Sequence, residues 1–336
     1  MKPSTSAATS AAATSATEAV FLLPEWAAFG RQSFSADCAR ALGRADALPQ
    51  ADTGRAAQRL RYVELLPARW SPAALSRHRD AGDATDAAWL RADPAYVRPD
   101  INGARLLAYG EALSPTRDET DAMLSALRPL FGDRGFALDA PTPTRWYLRL
   151  PAGSQWPDFS EPEAALGEDM FEHLPHGDAA RVWRALLNEA QIVLHQHPAN
   201  EQRRERGLPP INALWVWGGG RLPDRVRIAA ARVRSDDDTL RDCAYFAGVP
   251  DAGLPMRFAD TGTADDAGKS TMPGLYDLHR ERDLKRFQDD WLRPAMAALR
   301  SSALSSLTLD AADGRRLRLR AAQRWRFWRA PWTPAQ

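Results

Sequence analysis

The sequence predicts an α/β protein with a partly parallel sheet, and three observations carry that prediction. The short apolar run Ala19-Val-Phe-Leu-Leu23 reads as a buried strand, too short for a buried helix and stopped by Pro24. Arg145-Trp-Tyr-Leu-Arg-Leu150 alternates with period two, and Ile211 to Trp217 is an apolar strand closed by Gly218-Gly219-Gly220. Stretches of helical periodicity lie between such strands, the interleaving that marks an α/β class.

Taken in chain order, Met1 to Glu18 is a Ser/Thr/Ala stretch with too little bulk to pack, and it reads as a disordered tail. One α/β domain is expected over 19–336, with a subdomain at about 90–225. Residues 30–75 are rich in Ala and Arg and have helical character without a sharp motif. Trp89 to Arg98 and Ala104 to Tyr109 look extended, with Asn102-Gly103 marking a turn between them. Ser114 can cap a helix that begins at Pro115, carries Met123, Leu127 and Leu130 on one face, and ends at Gly132. Asp178 can cap the next helix, where Val182, Leu186, Ala190 and Leu194 align, and Pro198 lies just past its end. Glu281 to Leu299 reads as an amphipathic helix with Leu284, Phe287 and Trp291 inward, interrupted by Pro294. Ser306 to Asp310 and Arg315 to Arg320 form a hairpin around Asp313-Gly314, with Leu307, Leu309, Leu317 and Leu319 on its inner face.

The 336 residues suffice for one large domain or two ordinary ones, and a net charge of +1 gives no field to steer the chain to nucleic acid or membrane. Only three lysines (Lys2, Lys269, Lys285) occur among 44 basic residues; coding bias and recognition of phosphate or carboxylate both fit that excess of arginine. Cys38 and Cys243 form neither a metal spacing nor a disulfide framework, which fits a reducing, cytoplasmic setting. No apolar run reaches the roughly 18 residues that span a bilayer.

Several clusters could carry chemistry. Gly218 to Gly220 follows a strand and is either a turn that needs positive φ or a loop that approaches a phosphate or substrate. Arg203, Arg204 and Arg206, flanked by Asn200 and Asn212, form either a solvated turn or an anion clamp. His195 and His197 diverge on a helix end, so no metal is assigned there, and His173 and His176 suit a turn before a helix. Asp236-Asp237-Asp238 reads as a solvated loop or a helix start. Arg315 to Arg329 is basic and aromatic, but an outward Arg face and a packed Trp325/Trp328 helix explain it better than nucleic acid does. There is no GxSxG elbow and no HExxH.

The string His197-Pro-Ala-Asn200, Arg203, Arg206-Gly207, Pro210, Asn212 and Trp215-x-Trp217-Gly-Gly-Gly220 resembles a block of the archaeal-type bisphosphoglycerate-independent phosphoglycerate mutases. A closer resemblance is to a proteobacterial family described either as phosphoglycerate mutase or as the regulatory protein RpfE. It is carried by Trp89 to Pro94, Arg145 to Leu150, Leu174 to Asn200, Asn212 to Gly220 and Trp325 to Arg329. The resemblance implies an alkaline-phosphatase-like fold. It also implies that an active enzyme holds a Ser or Thr nucleophile against two divalent metals on Asp and His ligands.

This chain departs from that pattern. Its first strand runs into Pro24-Glu25 where the active enzymes have Asp-Gly, residues 30–90 show no nucleophile segment, and His279 stands alone in DLHRERD. The expectation is a catalytically degenerate, mutase-like (RpfE-type) cytoplasmic protein in regulation or phosphoanion sensing, with no cofactor. Its candidate contacts to a small phosphorylated metabolite are His197, Asn200, Arg203, Arg206, Asn212, Gly218, Gly219 and Gly220. The alternatives are an active mutase or phosphatase using manganese, zinc or magnesium, and a scaffold that binds a protein partner.

Overall fold

A computed structural model describes residues 18–100, 103–261 and 274–333. The disordered-tail expectation for Met1 to Glu18 lies outside the described residues except at Glu18, which opens the first strand instead, and the turn residue Asn102 also lies outside them. The fold is α/β, and the chain divides into two compact units. One comprises Met1–Val63, Ile228–Asp237 and Val249–Gln336; the other comprises Glu64–Arg227 and Asp238–Gly248.

The first unit is built on a seven-stranded sheet, in the order Asp251–Ala252, Val233–Arg234, Gly274–Asp277, Glu18–Leu23, Ser306–Ala311, Arg316–Leu319, Asp46–Ala47. The first five of these strands run parallel, with Glu18–Leu23 at the centre between Gly274–Asp277 and Ser306–Ala311. Its apolar run is therefore buried from both sides, as a parallel strand requires. Phe21 meets Phe258, Tyr276 and Trp291 edge to face, at centroid separations of 5.4, 5.7 and 5.6 Å. The expected interruption by Pro294 takes the form of a π-helical stretch, Phe287–Leu292, between helical pieces Leu284–Arg286 and Arg293–Arg300. Leu284, Phe287 and Trp291 all reach the core. The hairpin has the expected register, with Leu307 opposite Leu319 and Leu309 opposite Leu317. The C-terminal aromatics differ from expectation. Residues 321–325 form a 3-10 turn, Trp325 and Trp328 face solvent, and Trp332 packs on Trp26 and Phe34 instead.

The second unit centres on one long strand, Ala88–Asp100. Ala213–Arg221 pairs antiparallel along one side of it, while Arg145–Leu150 and then Gly103–Tyr109 pair along the other. Helices Arg117–Gly132 and Asp178–His195 supply Met123, Leu127, Phe131, Leu186, Ala190 and Leu194 to a shared core with Trp146, Leu148 and Val216. Two helix starts are corrected. Thr116, not Ser114, is the first N-cap and forms a capping box with Glu119; Gly177, not Asp178, precedes the second helix. Ser114 instead takes a left-handed backbone conformation at the end of a preceding 3-10 turn. Val182 points outward and Trp183 takes its inward place, a one-residue phase shift of the apolar stripe. Pro198 opens a further helix, Pro198–Glu205, so Arg203 and Arg204 sit on a helix and Arg206 is its C-cap in the turn that follows.

Candidate functional site

The five parallel strands end at one edge, the position where open α/β sheets present ligand-binding and catalytic groups. The side chains gathered there are Ser235 and Asp237, just after Val233–Arg234, and Asp277 and His279, at the end of Gly274–Asp277. Asp310 occupies the matching place on Ser306–Ala311. A short helix, Arg55–Leu60, supplies one polar side chain after another to this edge.

The bonds from that helix are specific. Arg55 Nη2 donates to Asp277 Oδ2 at 2.5 Å and to Asp237 Oδ2 at 2.9 Å. Arg59 pairs with Asp237 Oδ2 at 3.0 Å. Gln58 Nε2 donates to the carbonyls of Leu23 (2.9 Å) and Asp310 (2.6 Å), binding two adjacent strand ends together. Just beyond, Arg61 Nη2 and the Tyr62 hydroxyl donate to the two oxygens of Asp310, at 2.6 and 2.7 Å. Asp277 also accepts from Ser235 Oγ at 2.6 Å and faces His279 Nδ1 at 3.0 Å.

Charge explains the arrangement. Gln58, Arg59, Ser235, Asp237 and Asp277 are all buried, and an uncompensated carboxylate in such a place would be strongly disfavoured. Burial alone pushes the Asp277 carboxyl up, but Arg55, His279 and Ser235 outweigh it and hold the group well below the usual carboxylate range. Asp310 acts back on Tyr62, whose hydroxyl is driven far above its ordinary value by burial and by that neighbouring negative charge. Two guanidinium groups thus face two carboxylates, so each of these buried charges has an opposite partner. The Ser235 hydroxyl donates to Asp277, a carboxylate made weakly basic by its own cationic partners, and His279 meets the other oxygen of that carboxylate and not the hydroxyl.

The residues singled out in the sequence lie elsewhere, in the second unit, and protein groups take up most of their bonding capacity. Arg203 is fully buried and donates to Glu119 Oε2 (2.7 Å) and to the carbonyls of Leu113 (2.5 Å) and Pro209 (2.8 Å). Arg206 reaches the other oxygen of Glu119, so these two arginines are brought together on one carboxylate. Burial opposes ionisation of Glu119, but the Thr116 amide, Arg203 and Arg206 prevail and lower its pKa. The Asn200 amide bridges Leu194 and Ile211, and the Asn212 amide exchanges two hydrogen bonds with the backbone of Val97. His197 Nδ1 accepts from the Ala199 amide as an N-cap. The glycines lie within the strand Ala213–Arg221 and do not close it. Gly218 has φ +70° at a register shift, and side chains at 219 and 220 would strike Trp156 and Ser71.

Compared with known proteins, the chain matches no family profile. It is 40% identical over 62 residues to a Geobacter sulfurreducens protein named "Probable 2,3-bisphosphoglycerate-independent phosphoglycerate mutase", a match covering 18% of this chain and 16% of that one. It is 33% identical over 115 residues to the 2,3-bisphosphoglycerate-independent phosphoglycerate mutase of Methanothrix thermoacetophila, covering 32% and 29%. The chain is phosphoglycerate-mutase-like. In these alignments it spans less than a third of the length of the curated relatives it matches. Among solved structures, it aligns with the cofactor-independent phosphoglycerate mutase of Thermoplasma acidophilum over 90% of each chain, at 17% identity and a TM-score of 0.42.

A mutase-like edge would hold divalent metals on Asp and His ligands, and the groups present do not fit that demand. Asp237, Asp277 and His279 supply suitable donor atoms, but Arg55 and Arg59 already sit within 3.0 Å of the carboxylate oxygens. A divalent ion would share those oxygens with two fixed cations, and Coulomb repulsion at such range is severe. Among the described residues, no group of three or more His, Cys, Asp or Glu is arranged to hold a metal.

The sequence reading missed Arg55, Arg59, Ser235, Asp237 and Asp277. The run Asp236-Asp237-Asp238 is expected as a solvated loop or a helix start; a helix does start at Asp238, but Asp237 is buried, and His279, expected to stand alone, meets Asp277. The usable signal was the pair of short strands, each running into an acid at its carboxyl end: Val233-Arg-Ser-Asp-Asp237 and Gly274-Leu-Tyr-Asp277.

Proposed function

We propose that this is a catalytically degenerate phosphoglycerate-mutase-like protein, of the RpfE type, that acts in regulation by binding and not by turnover. One observation carries the reading: Arg55 and Arg59 neutralise the two carboxylates that a metal-assisted phosphoryl transfer would need free. The same pairing supports a stable, unreactive edge, because these buried carboxylates and guanidinium groups each have an opposite partner. A phosphorylated small molecule remains the proposed ligand class. In the second unit it would engage the block through Arg206, whose side chain is 48% exposed and can swing away from Glu119. No described helix is long and apolar enough to cross a membrane. Both cysteines are free and buried, which supports placement in a reducing cytoplasm.

A second reading, an active metal-dependent mutase, is favoured by the names of the curated relatives. Interconversion of 2- and 3-phosphoglycerate, assayed with manganese, zinc or magnesium and with a chelator, separates the two. The degenerate reading expects no turnover above background under any metal. Chelator-sensitive turnover would overturn it. Thermal shift with 3-phosphoglycerate then tests the ligand class, with stabilisation expected in the parent and reduced in Arg206→Ala.

A further inference from the structure

The first unit carries a basic, partly apolar groove that neither the sheet edge nor the mutase resemblance explains. It is a cavity of about 280 Å³ between helices Ala36–Gly43 and Arg293–Arg300 and the 3-10 turn Ala321–Trp325. Met296, Leu299 and Leu319 form its floor, and Arg40, Arg44, Arg300, Arg320 and Arg324 stand around it. Its acid, Asp37, is already bound to Arg293 at 3.0 Å. Among the described residues, no hydrogen bond or ion pair engages the side chain of Arg40 or Arg300. The rim therefore carries a net positive charge that the protein leaves uncompensated.

Three aromatic rings follow the groove in sequence, and the first of them is joined to its rim through Arg324. The Arg324 guanidinium lies 5.0 Å over the Trp325 ring, and Phe327 and Trp328 meet edge to face beyond it at 5.4 Å. These three rings are 65, 77 and 70% exposed. Their exposure is not the slack of a loose terminus, because the chain is pinned between them at Arg326 and again beyond them at Trp332. Arg326 is tied to Asp46 at 2.5 Å and to the Arg44 carbonyl at 3.2 Å. Past these rings, the Trp332 amide donates to Ala39 O at 2.8 Å, and its ring meets Trp26 edge to face at 4.8 Å. Gly43 lets this strap lie close, since any side chain there would strike the carbonyl of Ala330. A backbone held this firmly still presents three large rings to water, which costs solvation that a partner would recover.

We propose that this groove and these rings dock an acidic peptide segment carrying a large apolar anchor. The anchor enters over Met296, Leu299 and Leu319, its flanking carboxylates pair with Arg40 and Arg300, and the exposed rings cover it. Tryptophan and arginine are the side chains that dominate the energetics of such interfaces. A concave floor between two helices accepts one side chain, a shape that a flat bilayer cannot fill. Charge complementarity selects an acidic partner over a basic one.

A displayed library of random short peptides, selected against the full chain, tests this. Enrichment of Asp and Glu around Leu, Phe or Trp is expected, with the best peptide then measured by fluorescence anisotropy. Arg40→Glu together with Arg300→Glu, both exposed positions, should weaken that peptide by about tenfold or more. Trp325→Ala with Trp328→Ala should weaken it comparably, and circular dichroism should show both variants folded. Replacing the peptide's apolar anchor by Ser should abolish binding. Absence of acidic enrichment, undiminished binding by the charge-reversed variant, or equal binding of the Ser peptide would each overturn the proposal. So would co-sedimentation with phosphatidylserine vesicles in place of peptide binding.

Discussion

The carboxyl edge of the parallel sheet and the block around Arg203 use the same chemistry for different ends. In each, arginines from a short helix close on buried carboxylates: Arg55 and Arg59 on Asp237 and Asp277, and Arg203 and Arg206 on Glu119. The block ties a helix N-terminus to a neighbouring loop, since Glu119 also completes the Thr116 capping box and Arg203 holds Leu113 and Pro209. The edge holds strand ends, at the one place in the sheet where reactive groups converge. A dense polar motif therefore spends most of its bonding capacity on its own backbone in one region, while a dispersed set of residues closes the strand ends in the other.

The largest effect should come from the block. Arg203→Ala removes the buried cation that Glu119 shares with Arg206 and leaves the carbonyls of Leu113 and Pro209 without that donor, and a loss of about 3–5 kcal/mol in urea denaturation is expected. Arg206→Ala, at a half-exposed position, should cost no more than about 1 kcal/mol. Equal effects would mean that the block is not built around its buried member.

Next in size is a pH contrast between two buried acids. Asp242, on the helix Asp238–Phe246, is pushed up to about 7 by burial, against the opposing pull of Arg145, Arg91 and Arg79. Its folded value lies above its unfolded one, so its ionisation weakens the fold progressively from about pH 4 to 7. Asp242→Asn should thus stabilise more at pH 8 than at pH 5, by on the order of 2 kcal/mol. Asp277 has the opposite sign. Its depressed value contributes stability that is present above about pH 4 and is lost as pH falls through the folded value. Asp277→Asn should therefore lower stability at neutral pH and flatten the acid limb of a denaturation profile. Profiles of the same sign for both acids would break the contrast.

The smallest effect belongs to the cap. Thr116→Ala should cost about 1 kcal/mol, because the Glu119 amide loses its acceptor while the carboxylate keeps its arginines. A cost approaching that of Arg203→Ala would show that cap and clasp act as one unit.

Periodicity reveals the parts of this fold whose burial follows a local pattern. The central strand, the inward leucines of the C-terminal hairpin and the break before Pro294 all follow from residues close in sequence. Trp325 and Trp328 do not, because their outward pose depends on Arg326 reaching Asp46 some 280 residues away. The edge is hidden for the same reason. Asp277 meets Arg55 across 222 residues, and nothing local distinguishes a buried Asp237 from its neighbours Asp236 and Asp238.

The register of the central strand also sets a timetable. Glu18 pairs with Ser306 and Ala19 with Gly274, so the first ordered strand of the chain finds no lateral partner in these ladders until most of the polypeptide has been synthesised. Residues 64–227 form a continuous stretch with their own core and can close during that interval. On the ribosome, the seven-stranded sheet is therefore the late product, and its apolar central strand is the segment that chaperones would have to shelter while it waits.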